Sequence, residues 1–269
     1  MKSSLKWAAL ALGIVAALPT AAQAHRAWLL PSATVLSGED PWITVDGAIS
    51  NNLFYFEHFP LQLNGLTIIA PDGETVEAEN AHSGKYRSTF DVRLNKQGTY
   101  KMAVTGESMM GSYKLNGETK RVRGTAAEPP VIPAEATDVQ IRQALRRIET
   151  FTTVGSPNET ALTTSGIGLE MVPLTHPNDL FAGEEAKFRL LLDGNPAANV
   201  DVEVVPGGLR YRSQLGDMKV TTDADGVFSV TWPEAGMYWL QAMVRDENGS
   251  IPGTQRTSTY TVTLEALPQ

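Results

Sequence analysis

Phe90-Asp91-Val92-Arg93-Leu94-Asn95-Lys96-Gln97-Gly98-Thr99-Tyr100 and Phe228-Ser229-Val230-Thr231-Trp232-Pro233-Glu234-Ala235-Gly236-Met237-Tyr238 share one pattern, F-x-V-x-(L/W)-x-x-x-G-x-Y. Apolar and polar residues alternate at the start of each run, as in a strand with one buried face. After the glycine a second alternation begins, with Tyr100, Met102 and Val104 in one half and Tyr238 and Leu240 in the other. Each copy predicts a strand, a tight corner at glycine and a return strand that opens with tyrosine. The plainer reading is two pairs of ordinary strands that share a common G-x-Y turn.

A tyrosine in that place matches the tyrosine corner of immunoglobulin-like sandwiches, in which the phenol hydroxyl closes the corner on the backbone. Met102 and Leu240 stand two positions on, where an antibody domain has cysteine. The approaches agree as well: Gly38-Glu39 precedes Trp42-Ile43-Thr44-Val45, and Gly183-Glu184 precedes the run from Phe188 to Leu192. The chain is therefore read as all-β, with two immunoglobulin-like β-sandwich domains in tandem. The first covers residues 25–125 and the second 168–269, with 126–167 as linker and crossing segment. Strands are expected near 41–46, 66–70, 74–79, 86–94 and 99–105, then near 169–173, 186–192, 199–205, 217–222, 226–232, 237–245 and 256–265. Asn116-Gly117 predicts a hairpin between 112–115 and 119–122. Pro129, Pro130 and Pro133 stiffen the linker. In Asp138–Thr150, Ile141, Leu145 and Ile148 fit a helical stripe, yet Val139, Ile141 and Ile148 also fit a strand; an extended crossing segment is the reading adopted.

Composition supports the β class. Of 269 residues, 42% are hydrophobic and only 19% charged, with 23 glycines and 16 prolines, a balance suited to short strands and many turns. The net charge of −8 argues against a nucleic-acid partner, which would call for a basic stripe. The absence of cysteine removes disulfides, thiol catalysis and thiolate metal sites together, so both domains depend on core packing.

The first residues read as an export signal. Lys2 and Lys6 precede the twelve-residue apolar run Trp7–Leu18, and Ala22-Gln23-Ala24 offers small residues to a signal peptidase. The run is too short to span a membrane as a helix. Cleavage is expected after Ala24, with a cut after Ala22 as the alternative. Losing 24 residues that carry two lysines and no acid leaves a periplasmic chain of 245 residues with net charge −10, beginning at His25.

The second half, read whole, resembles a known family. The run Gly168-Leu169-Glu170-Met171-Val172-Pro173-Leu174 is followed by His176-Pro177-Asn178-Asp179-Leu180 and by Gly183-Glu184. Then come Leu192-Asp193-Gly194-Asn195-Pro196, Thr222-Asp223-Ala224-Asp225-Gly226 and Ala235-Gly236-Met237-Tyr238-Trp239-Leu240. With the start His25-Arg26-Ala27-Trp28-Leu29, this succession resembles the exported family called domain of unknown function 4198. That family is described as similar to a periplasmic component of cobalt and nickel uptake. The resemblance implies a non-catalytic protein that binds a transition metal (nickel, cobalt or copper) and works beside a metal uptake receptor or permease.

Four histidines carry what chemistry the chain offers: His25, His58, His82 and His176. None is spaced to place two imidazoles on one face of a single element. A free amine at His25, however, would form a compact two-nitrogen chelate with its own ring, suited to Cu(II) or Ni(II). His58 or His82, each in the first domain, would supply a further nitrogen, with Glu57 as a candidate to orient His58. The bland alternative is four solvated or hydrogen-bonded histidines. Met109-Met110 as soft ligands, and Asp223-Ala224-Asp225-Gly226 as a calcium loop, are weaker than packing and turn readings of the same residues. His176, in a turn-like stretch, is expected to play no part in binding. Trp232 and Trp239 are expected in the packing. Two other function classes compete. One is a structural or adhesive module that presents loops to a protein or glycan. The other is a copper-dependent polysaccharide monooxygenase, which also uses a terminal histidine but whose further motifs this chain lacks. No G-x-S-x-G or H-E-x-x-H motif points to a hydrolase.

Overall fold

A computed structural model of the chain describes residues 25–269, so the expected export signal lies outside the described residues. The first half contributes β1 (Arg26–Pro31), β2 (Val35–Leu36), β3 (Trp42–Ser50), β4 (Phe59–Pro60), β5 (Leu66–Ile69), β6 (Thr75–Val76), β7 (Glu79–Ser83), β8 (Ser88–Arg93), β9 (Gly98–Leu115) and β10 (Glu118–Gly124). Next come β11 (Thr137–Val154), β12 (Leu169–Pro173), β13 (Glu185–Leu192), β14 (Asn195–Pro196) and β15 (Asp201–Pro206). The chain closes with β16 (Met218–Thr221), β17 (Val227–Thr231), β18 (Gly236–Asp246) and β19 (Gln255–Ala266). The all-β class holds, and most strands begin or end within a residue or two of where alternation places them. Two differ. His82, which falls between the strands expected near 74–79 and 86–94, lies on strand β7, and β9 runs on unbroken through Met109-Met110 into the hairpin. That hairpin turns at Asn116 and Gly117 with φ of 52° and 82°, the doubly left-handed turn that matches strand twist.

Among the described residues the strands form three sheets. β1-β3-β8-β7, with β4, make a five-stranded sheet; β12-β13-β14, with β17, make a four-stranded one. Between them lies a ten-stranded sheet, β16-β15-β18-β19-β11-β9-β5-β6, with β10 and β2 attached. The crossing segment is its central strand. β11 pairs antiparallel with β9 of the first half and parallel with β19 of the second. Helical periodicity in 138–150 yields here to tertiary pairing: a strand already flanked by β9 and β19 satisfies its backbone groups on both edges.

The two cores sit on opposite faces of that shared sheet. Leu29, Val45, Phe90, Val92, Tyr100, Met102 and Ile148 fill the first, against the five-stranded sheet. Phe188, Phe228, Val230, Trp232, Tyr238, Val262 and Phe151 fill the second, against the four-stranded sheet. A smaller cluster of Trp28, Ala48, Leu53, Val205 and Trp239 joins the five-stranded sheet to the second half, and the Trp239 indole donates to the Ala27 carbonyl at 2.9 Å.

Both tyrosine corners are present. The Tyr100 hydroxyl accepts the Lys96 N–H at 2.8 Å. The Tyr238 hydroxyl accepts the Glu234 N–H at 3.2 Å and donates to the Glu234 carbonyl at 2.7 Å. In each case the partner stands four residues earlier, across the glycine corner. Gly98 cannot be replaced there: its φ is 125°, and a Cβ would lie 2.6 Å from Pro71 Cβ.

Candidate metal centre

β1 and β4 both pair with β3 near its end, with Ala27 and Phe59 each opposite Ile49. His25 directly precedes β1 and His58 directly precedes β4, so this register delivers both histidines to the same end of the sheet. Their ring centroids are 4.4 Å apart, with the planes at 75°. Phe59 lies against both, with centroids 6.4 Å from His25 and 6.3 Å from His58. His25 is exposed; His58 is partly buried.

The surroundings of His58 are incompletely hydrogen-bonded. Its Nε2 lies 3.4 Å from Asn51 Nδ2, while its Nδ1 and the Asn51 Oδ1 are buried without partners. With the Asn51 amide turned over, Oδ1 accepts the Nε2 proton and Nδ1 keeps a free lone pair, the tautomer a metal ligand requires. Glu57 does not orient the imidazole. Its carboxylate accepts from Asn52 Nδ2 at 2.8 Å and its N–H donates to Ser50 Oγ at 3.1 Å, which ties it into the turn. The side chain within hydrogen-bond reach of the ring is instead Asn51, which sequence reasoning missed because an asparagine after a strand reads first as a turn former.

His82 is not brought to this place. It sits on β7 opposite Thr89, and that row crosses the sheet through Asp46 to Leu30. His25 is five residues back along β1 and three strands across, a separation of roughly 20 Å at ordinary strand dimensions. Among the described residues no group of three or more His, Asp or Glu side chains gathers as a metal site. Met109 is fully buried and Met110 is 56% exposed, on opposite faces of β9, so the two sulfurs do not converge. Asp223 Oδ1 accepts from the N–H groups of Asp225 and Val227, an ordinary Asp-Gly turn.

His176 is not an idle turn residue. Its Nδ1 accepts the Asn178 N–H at 3.2 Å, which leaves the proton on Nε2 to donate to Thr99 Oγ1 at 2.9 Å. Thr99 Oγ1 also meets Thr153 Oγ1 at 2.9 Å, and Thr153 donates to Asn178 Oδ1 at 2.9 Å. The ring thus links a loop of the second half to β9 and β11. Burial is the chief influence on this imidazole and pushes its pKa below the usual histidine value.

A family model described as domain of unknown function (DUF4198) matches residues 22–246. No curated protein matches the chain. Among solved structures, the D0-D1 domain of intimin is similar at 13% identity, over 89% of this chain and 97% of that one, with a TM-score of 0.23. The two tandem V-type regions of VCBP3, a v-region-containing chitin binding protein, are similar at 7% identity over 88% and 98%, with a TM-score of 0.21. Superpositions this loose carry no argument about function. No helix among the described residues is long and apolar enough to cross a membrane.

Proposed function

The chain belongs to the DUF4198 family, and from that premise we propose that it is an exported, non-catalytic periplasmic protein that binds a transition-metal ion and assists its uptake through a receptor or permease. The ion is held by three nitrogens: the His25 α-amine, the His25 imidazole and His58 Nδ1. Removal of the leader after Ala24 frees the amine, so the site forms only in the exported protein. Two or three nitrogens in a compact, near-planar set suit Cu(II) and Ni(II), with Co(II) bound more weakly. The observation that carries this reading is the 4.4 Å approach of the two rings, beside a buried His58 Nδ1 that nothing else uses. An exposed His25 at a strand end is free to turn toward that nitrogen.

The test compares the authentic chain beginning at His25 with one carrying a single extra residue before it, each titrated with Cu(II) and Ni(II). The extension moves the free amine and should weaken binding sharply without changing the fold. Equal binding by both proteins overturns the terminal chelate. If neither exceeds the background of scattered surface histidines, the metal reading falls and the adhesive-module reading replaces it.

A further inference from the structure

The shared sheet leaves part of one face uncovered. On the first half of that sheet, Tyr100, Met102, Ile68 and Ile148 face the first core, so the alternate residues Lys101, Ala103, Ile69 and Arg147 face the other way. The four-stranded sheet covers that second face only over the second half. Where its cover stops, a groove of about 570 Å³ remains, floored by Ile69, Ala103 and Leu145 and walled by residues 163–168. Its size is that of a small-molecule site.

The two buried carboxylates beside this groove are fully engaged, and one buried donor is not. Glu149 Oε1 takes Arg147 and its Oε2 takes the Tyr260 hydroxyl at 2.8 Å. Glu170 Oε1 takes Arg147 and Ser165, and its Oε2 takes the Gly166 N–H at 2.7 Å, which pins the wall of the groove. Glu107 Oε1 takes Gln143 Nε2 and the Ala126 N–H. Lys101 is different. Its residue is only 8% exposed, yet among the described residues its Nζ has one hydrogen bond, to the Thr163 carbonyl at 2.5 Å, and no carboxylate within ion-pair distance. A buried ammonium with unused donors at an apolar floor is costly unless something supplies an acceptor. Burial accordingly lowers its pKa, while the nearby Glu149 and Glu170 hold it up.

We propose that this groove binds a small monocarboxylate with a short apolar body, the carboxylate accepting from Lys101 Nζ and the apolar part lying on Ile69, Ala103, Leu145 and Ile167. Lys101 and Arg147 are already matched in charge by Glu149 and Glu170, so what would hold the carboxylate is the unused donor capacity of the Lys101 ammonium rather than a net positive charge. A phosphate dianion would bring a second charge toward two buried carboxylates, which the groove disfavours. The site is separate from His25 and His58.

Calorimetric titration of the chain beginning at His25 with hexanoate and with benzoate tests this, using hexanamide and benzamide as neutral controls. Saturable one-to-one binding of an acid, with its amide at least about tenfold weaker, is expected. Lys101→Met should weaken the acid about ten- to a hundredfold and leave the amide unchanged, whereas His58→Ala should change neither. Ile167 is 65% exposed, so Ile167→Asp will fold whatever Lys101→Met does; a carboxylate at the mouth should also weaken the acid. Failure of both acids to saturate, equal binding of acid and amide, or wild-type affinity in Ile167→Asp overturns the proposal.

Discussion

Ile148 and Phe151, three residues apart on β11, enter different hydrophobic cores. Odd and even positions of a strand face opposite ways, so the same strand seals the first sandwich with Ile148 and the second with Phe151. Residues 148–154 are buried throughout, as expected of a strand covered on both faces. The halves are therefore joined by a ladder of backbone hydrogen bonds as well as by a linker.

Loss of either face should be felt by the whole chain. Phe151→Ala is expected to destabilise by about 3–5 kcal/mol, and calorimetry should still show a single cooperative transition. Two well-separated transitions in the wild-type protein would show that β11 does not couple the halves.

The two tyrosine corners should differ in worth. Tyr100→Phe removes one hydrogen bond accepted from Lys96, whereas Tyr238→Phe removes an accepted and a donated bond. Urea denaturation should show a loss of about 1 kcal/mol for the first and a larger loss for the second. Equal, negligible losses would mean that the rings matter and the hydroxyls do not.

His176 should make the fold acid-sensitive. Its folded pKa lies below its unfolded value, so the unfolded chain takes up the proton first as pH falls. Stability should thus decline once pH drops below about 6.5, the unfolded imidazole value. In His176→Gln that part of the decline should vanish, although the variant will be less stable at neutral pH because the link to Thr99 changes. Parallel pH profiles of the denaturation midpoint for both proteins would contradict this.

Within the proposed metal centre, register separates the histidines by role. His58→Ala should abolish tight Cu(II) binding to the chain that starts at His25, while His82→Ala should leave it unchanged. Asn51→Ala should weaken binding by about tenfold or more, by freeing the tautomer of His58. Binding should also weaken in acid, because the ligating nitrogens must shed their protons. A larger effect from His82 than from His58 would place the site elsewhere.

Alternation and turn chemistry determined the local structure of this protein. The period-two runs of Phe90–Leu94 and Phe228–Trp232, the glycine corners and Asn116-Gly117 each act within a few residues, so they are legible one segment at a time. The tyrosine corners were legible for the same reason, their partners being four residues away. Long-range pairing decided the rest. Residues 138–150 fit a helix or a strand until β9 and β19 supplied partners for both edges. His25, His58 and His82 were equivalent as residue types, and only the pairing of β1, β4 and β7 brought His58 to His25 and left His82 on the far side of the sheet. Lys101 alternates with the core residues Tyr100 and Met102 and so faces away from the first core; it is buried because the wall formed by residues 163–168, some sixty positions later, folds over it. A side chain's face follows from its neighbours in sequence, but what covers that face depends on strands distant in the chain, and burial and site geometry follow the cover.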